Sequence, residues 1–323
     1  MFKRDVEGAV PYKKVFRQSE LLPREKPIMF YYSMEASAFP PYIFDDAIDA
    51  SGIMKINIRQ EEPAMIIKRN CLYTPKGVNR PLHIYLPDSY NMSLERFPVM
   101  YFFDGHNLFF DSDATYGKSW GLKDFLDRWG KDMIIVGIEC GHDGQERLSE
   151  YLPYPARTGS HFDKFKPLGS VTMDWIVNEI KPVIDRDYRT IPFRECTAIG
   201  GSSMGGIMAL YAAVHYNRWF SKAACVSSAM GFCIRPLMND LRSSAISPDT
   251  RIYLSWGTRE AWGLKNTERE DRSSKTYGWN KRVADHLAGL GCAVKLHCQV
   301  GGGHCEADWE KLVPTFMDFL WMQ

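Results

Sequence analysis

What the sequence lacks narrows the field first. None of its eight cysteines, at positions 71, 140, 196, 225, 233, 292, 298 and 305, forms a C-x-x-C pair. The start, Met1-Phe2-Lys3-Arg4-Asp5, runs into mixed charge without the apolar core of a secretion signal. Free thiols in a reducing, cytoplasmic compartment are therefore expected. Runs of Lys or Arg are absent and the formal net charge is +1, which argues against nucleic acid or an anionic membrane surface as partner. Internal repeats and low-complexity tracts are missing. No H-x-x-x-H or H-x-H spacing occurs, so although His106 invites a metal with His142 or Asp104, neither metal nor cofactor is expected.

The composition is otherwise that of a globular protein, with 45% hydrophobic and 24% charged residues in 323. One large domain over 56–323 is expected, preceded by an extension over 1–55 rich in Pro and aromatics and without a defensible period. That extension could wrap the domain, form part of a lid or mediate self-association, and wrapping is the default.

The longest stretch free of Asp, Glu, Lys and Arg runs from Cys196 to Asn217. It begins as a short apolar run, passes through Gly200, Gly201, Ser202, Ser203, Gly205 and Gly206 broken only by Met204, and turns into an Ala/Leu/Met helical pattern. A buried strand, sharp turn and helix explain it better than a membrane span. Gly201-Ser202-Ser203-Met204-Gly205 fits G-x-S-x-G, the nucleophile elbow of α/β-hydrolases. Ser203 is the candidate nucleophile, and Ser202 is read as a turn hydrogen-bonder.

Around this stretch the chain reads as α/β. Strands are predicted over 53–58, 64–67, 81–87, 98–103, 133–138, 222–226, 251–256 and 293–300, and helices over 122–129, 171–185, 275–290 and 308–320. Antiparallel strands then lead into a mostly parallel sheet with helices on both faces. Active sites of such sheets lie at the carboxyl ends of the strands, so the loops after Phe103, Ile138, Gly201, Trp256 and Val300 should converge.

A serine hydroxyl needs a base to take its proton and a carboxylate to orient that base, in the chain order Ser, acid, His. His215 and His286 fall on helices and His297 inside a strand pattern, whereas His304 stands in a loop after three glycines read as giving the backbone freedom to bend. His304 is the candidate base. Glu260, in the loop after the 251–256 strand, is the candidate acid, with Asp271 as the alternative. The oxyanion would be met by the backbone N–H of Met204 and by one from Gly105 or His106. Trp120 and Arg147 lie in loops expected near the pocket and are candidate substrate contacts. A packed tryptophan, and an arginine bridging Glu146, Glu150 or Asp143, are the alternatives. Cys305 is read as a buried thiol.

Phe102-Phe103-Asp104-Gly105-His106-Asn107-Leu108-Phe109, Arg147 to Tyr151, Gly200 to Gly206, Gly257-Thr258-Arg259-Glu260 and Gly302-Gly303-His304 occur in order. Together they resemble the esterase family of α/β-hydrolases that contains esterase D-like enzymes, feruloyl and acetyl-xylan esterases of carbohydrate esterase family one, and enterochelin-type siderophore esterases. The resemblance spans about residues 65 to 322. It implies an α/β-hydrolase fold and a Ser203–Glu260–His304 triad without cofactor. Many members have Asp where Glu260 stands, and feruloyl esterases commonly read His-Gly-Gly where this chain has Asp104-Gly105-His106. The expected activity is hydrolysis of a small acyl ester of a sugar or plant phenolic. A siderophore trilactone esterase and an inactive hydrolase-fold binding protein are the alternatives.

Overall fold

Apolar runs too short for helices become strands throughout this chain. The computed structural model describes residues 46–48, 54–56, 65–160, 162–260 and 267–322. Two units divide the chain, Met1–Gln60 and Glu61–Gln323. In the first, β1 (Asp46–Ile48) pairs antiparallel with β2 (Met54–Ile56), which takes up part of the strand expected over 53–58. The expectations for residues 1–45 lie outside the described residues.

The second unit is built on β3 (Met65–Tyr73), β4 (Val78–Leu86), β5 (Val99–Phe103), β6 (Ile134–Ile138), β7 (Thr197–Ser202), β8 (Lys222–Val226), β9 (Arg251–Gly257) and β10 (Ala293–Gln299). They form one sheet in the order β10-β9-β8-β7-β5-β6-β4-β3. β4 runs antiparallel to both β3 and β6, and every other pairing is parallel. β3 outruns its predicted 64–67 segment because it is an edge strand. Lys68, Asn70 and Leu72 face outward there, so a polar continuation costs no burial.

The helices are α1 (Leu122–Trp129), α2 (Glu146–Glu150), α3 (Gly169–Trp175), α4 (Lys181–Asp187), α5 (Met204–His215), α6 (Ile234–Ser243), α7 (Lys275–Gly289), α8 (Glu306–Glu310) and α9 (Val313–Trp321). A π-helical turn over Ile176–Ile180 joins α3 to α4. The expected 308–320 helix is split into α8 and α9, with Pro314 in the first turn of α9. Sequence reading missed α6 because Pro236 looks like a breaker; it lies in the first turn, where the missing N–H has no intrahelical acceptor to lose.

Period-two alternation along the strands builds two cores. Val99, Tyr101 and Phe103 of β5 enter one with α3 to α7, while Met100 and Phe102 enter the other with α1, α8 and α9. The charge-free Cys196–Asn217 run becomes β7, its turn and α5, with every residue of α5 from Met204 to Val214 buried. No described helix is long and apolar enough to cross a membrane.

One ion pair, its acid buried and its arginine partly exposed, shapes the loop after β5. Asp104 turns the chain there at φ 57°, and its carboxylate accepts two hydrogen bonds from Arg147 of α2, both 2.7 Å. Its backbone N–H donates to the Tyr151 hydroxyl at 3.2 Å, and the Tyr151 ring packs edge-on against Phe103, 5.0 Å between centroids. A second pair, this one buried, Arg80 to Glu150 at 2.7 Å, ties α2 to β4, and Glu150 also accepts from the Gly141 N–H at 2.8 Å. Loop, helix and sheet are thereby locked together. Burial acts to raise the Asp104 carboxyl, but the Arg147 charge and paired bonds outweigh it and hold the group below its ordinary value.

A group lowered in this way contributes stability above its unfolded pKa and loses it as pH falls through the folded value. Replacing Arg147 with Met leaves burial to dominate, so Asp104 becomes a liability that protonation relieves. Arg147→Met is expected to lower unfolding free energy by roughly 3 kcal/mol at pH 7. The deficit shrinks as pH falls from the raised Asp104 value of the variant toward the lowered value of the wild type. Urea unfolding of both proteins across pH checks this, and a deficit constant with pH would contradict it.

Candidate active site

Strain marks the turn between β7 and α5. Ser203 sits at φ 56°, ψ −116°, a region that residues with a Cβ avoid unless the surroundings impose it. The surroundings do: its N–H donates to Val226 O at 3.0 Å, and its carbonyl accepts from Ala229 N at 2.9 Å. β8 and the loop after it thus hold both sides of the residue. On the other flank, a Cβ added at Gly205 would stand 2.9 Å from Phe103 Cβ and 3.4 Å from an Asp104 oxygen. Glycine lets the first turn of α5 lie directly against Phe103 and Asp104. Met204, Gly105 and His106 are each buried. By helix geometry the Met204 N–H, at the first position of α5, has no intrahelical acceptor.

Glu260 collects donors from three loops. Its Oε1 accepts from the Ser227 hydroxyl and from the Gly257 N–H, each at 2.6 Å, and its Oε2 bonds His304 Nδ1. The Trp309 indole donates to Ser227 Oγ at 3.0 Å and also meets the His304 ring edge-on, 5.0 Å between centroids. With Nδ1 engaged, Nε2 is the nitrogen that His304 can offer to another group. Asp271, the alternative acid, instead accepts from the N–H and hydroxyl of Ser273, at 2.9 and 2.6 Å, in the turn before α7.

The glycines before His304 do more than bend. A Cβ on Gly257 would lie 2.2 Å from Gly302 O, so the ends of β9 and β10 approach at backbone distance. Thr258 N to Gln299 O at 3.0 Å and Arg259 N to Gly302 O at 2.9 Å stitch them together. The sequence reading of these glycines as free of packing is corrected by this contact.

Ser203, Glu260 and His304 line one cleft of about 630 Å³. Its walls are aromatic, with Phe162, Phe232, Trp256 and Trp279, and it carries two cations, Arg157 and Lys275. Among the described residues neither cation pairs with a carboxylate. Much of this wall comes from the loop after β8, including Ser227, Ser228 and Phe232, a loop that sequence reading left out of its converging set. The signal was available, since the 222–226 strand was predicted and its carboxyl end lies beside the turn at Ser203. Ser227 and Trp309 were missed for the same reason: their hydrogen bonds cross between strand ends and leave no local motif.

Two predicted substrate contacts are corrected. Trp120 is buried in the layer between α1 and α9, against Phe102, Trp309 and Phe316, and does not line the cleft. Arg147 is occupied by Asp104 rather than by ligand, and its partner is none of the expected Glu146, Glu150 or Asp143. Cys305, expected to be buried, is exposed beside His304. All eight cysteines are free thiols.

The comparisons with known proteins agree with this geometry. Residues 76–319 match the family described as Putative esterase. The uncharacterized protein YbbA of Bacillus subtilis (strain 168) is 26% identical over 216 residues, covering 64% of this chain and 82% of YbbA. Among solved structures, an IroE-like serine hydrolase from Shewanella oneidensis superposes with a TM-score of 0.61 at 18% identity, over 79% of each chain. The enterobactin esterase Fes from Shigella flexneri, solved in the presence of enterobactin, gives 0.59 at 19% identity over 81% of this chain and 59% of Fes. These likenesses establish the α/β-hydrolase fold. The chain belongs to the Putative esterase family, whose activity is carboxylic ester hydrolysis.

Proposed function

We propose that the protein is a serine esterase working through an acyl-enzyme. Ser203 Oγ attacks the ester carbonyl carbon while His304 Nε2 takes the hydroxyl proton, and the carbonyl electron pair moves onto oxygen. The Met204 N–H and an N–H of Gly105 or His106 meet that oxyanion. Collapse expels the alcohol, protonated by His304, and a water then repeats the sequence to release the acid. Glu260 fixes the imidazole tautomer and stabilises its charged form. Neither metal nor organic cofactor takes part in this reaction. The observation that carries the reading is the Glu260–His304 hydrogen bond opening onto the cleft that Ser203 also lines. A binding protein that had lost activity would have no need of this arrangement.

The substrate class follows from the cleft walls. Four aromatic side chains suit a flat acyl group, and Arg157 and Lys275 suit phenolic oxygens or a carboxylate on it. A hydroxylated aromatic acyl ester, as carried by sugars or plant phenolics, is the reading preferred here. The two cations also favour a second reading, a catecholate trilactone, and the likeness to Fes runs in the same direction. Eight free thiols favour a reducing, cytoplasmic location.

Ser203→Ala is expected to remove hydrolysis of p-nitrophenyl acetate by a factor on the order of 10⁶ in kcat, with the circular dichroism spectrum unchanged. Retained turnover would remove Ser203 from the mechanism.

Glu260→Gln is expected to lower kcat by about 10⁴, whereas Asp271→Asn leaves it near wild type. The reverse order would transfer the acid to Asp271. Arg157→Ala should raise KM for feruloyl and catecholate esters while leaving the acetate unaffected. Equal changes for all three substrates would count against the acyl-pocket assignment.

A further inference from the structure

We propose that His106, Cys140 and His142 form a binding site for one zinc-like divalent cation. Spacing along the chain conceals it, because the ligands come from two strands. β5 and β6 are parallel neighbours with Phe103 opposite Ile138, so the loops that leave them emerge side by side. One loop carries His106, the other Cys140 and His142. Their candidate ligand atoms all lie within 4.8 Å of one another, and the two imidazole rings meet edge to face at 4.8 Å.

The hydrogen bonds around the cluster prepare it for a cation. His106 is 7% exposed; its Nε2 bonds Thr115 Oγ1 at 2.9 Å, and its buried Nδ1 has no hydrogen-bond partner. An unsatisfied buried nitrogen destabilises the fold, and a bound metal would satisfy it. His142 Nε2 bonds Glu139 Oε2 at 2.8 Å, and the other Glu139 oxygen bonds His83 Nε2 at 2.6 Å. Each ring therefore has its Nε2 held by oxygen and its Nδ1 left for a ligand role. A carboxylate behind a ligating histidine is the usual device for fixing tautomer and ring orientation in zinc sites. Cys140, 2% exposed, supplies the soft sulfur, and two imidazoles with one thiolate select zinc-like ions over magnesium or calcium. Asp104, itself paired with Arg147, lies against the Cys140 thiol, and the Glu139 carboxylate lies against His142. On binding, the sulfur forms a bond to the metal and the thiol proton passes to solvent. His142 is exposed and gives the ion a route in.

This site shares its loop with Gly105 and His106, the candidate oxyanion donors, so its test reads binding rather than turnover. Untagged full-length protein titrated with zinc against a chromophoric chelator should bind one equivalent per chain. Glu139→Gln should weaken that binding about 10–100-fold and His142→Ala by more. Both residues lie at or near the surface, which keeps the variants folded, and circular dichroism verifies it. Cobalt bound to the wild type should show a thiolate-to-metal charge-transfer band that Cys140→Ser abolishes. Absence of stoichiometric zinc, affinity unchanged in His142→Ala, or cobalt bound without the charge-transfer band would each overturn the proposal.

Discussion

A buried carboxylate must be satisfied or it unfolds its surroundings, and Glu260 is where this molecule meets that demand. The Ser227 hydroxyl comes from the loop after β8, the Gly257 N–H from the end of β9 and the His304 imidazole from the loop after β10. Three strand ends are thereby fixed to one side chain, which is 10% exposed. Trp309 extends the network through Ser227 and braces His304 on its second edge. The direct approach of Gly257 to Gly302 keeps the loops after β9 and β10 near enough for it to close. Without that approach the imidazole would have a carboxylate within its loop's reach only by chance.

Strain at Ser203 is the counterpart of this order. A residue held at φ 56°, ψ −116° raises the energy of the folded state by about 1–3 kcal/mol. The sheet supplies the opposing stability. β7 lies between β5 and β8, its residues are all buried, and α5 is covered on every side rather than along one stripe. A helix of this kind cannot swing to relieve the turn, because any movement opens a cavity in a packed core. The same burial that makes Cys196–Asn217 free of charge therefore holds the half-buried serine on the lining of the cleft.

How much of this was legible in the sequence depended on whether the determinants were local. The turn at Ser203 was, since its glycines and the helix pattern that follows are contiguous. The mostly parallel sheet with antiparallel leading strands and helices on both faces was, since continuous apolar runs and alternation encode which faces are covered. Glu260 and His304 could be named because each stands in the loop after a recognisable strand. Trp120 and Arg147 were misread because loop position says nothing about side-chain direction; one turns into the core against Phe316 and the other back onto Asp104. Ser227 was invisible because its importance lies in a hydrogen bond 33 positions along the chain. The His106, Cys140 and His142 cluster was hidden for the related reason that strand register, not spacing, brings it together.

Among the carboxylates near the histidine and serine loops, the structure gives Asp104, Glu306 and Glu260 different fates. Asp104 is held charged by two bonds from Arg147, so it has little left to offer an imidazole. Glu306, two residues from His304, is buried against Asn107, and burial together with the nearby Asp104 charge raises its carboxyl above the ordinary value. It is thereby shifted toward the neutral form, a poor partner for a cationic ring. Glu260 alone of the three bonds His304, and its second oxygen accepts from the Ser227 hydroxyl and the Gly257 N–H. An arginine on one acid and desolvation on another thus direct the imidazole to the third. The neighbouring Asp104 and Glu306 carboxylates are thereby withdrawn from competition for the His304 imidazole.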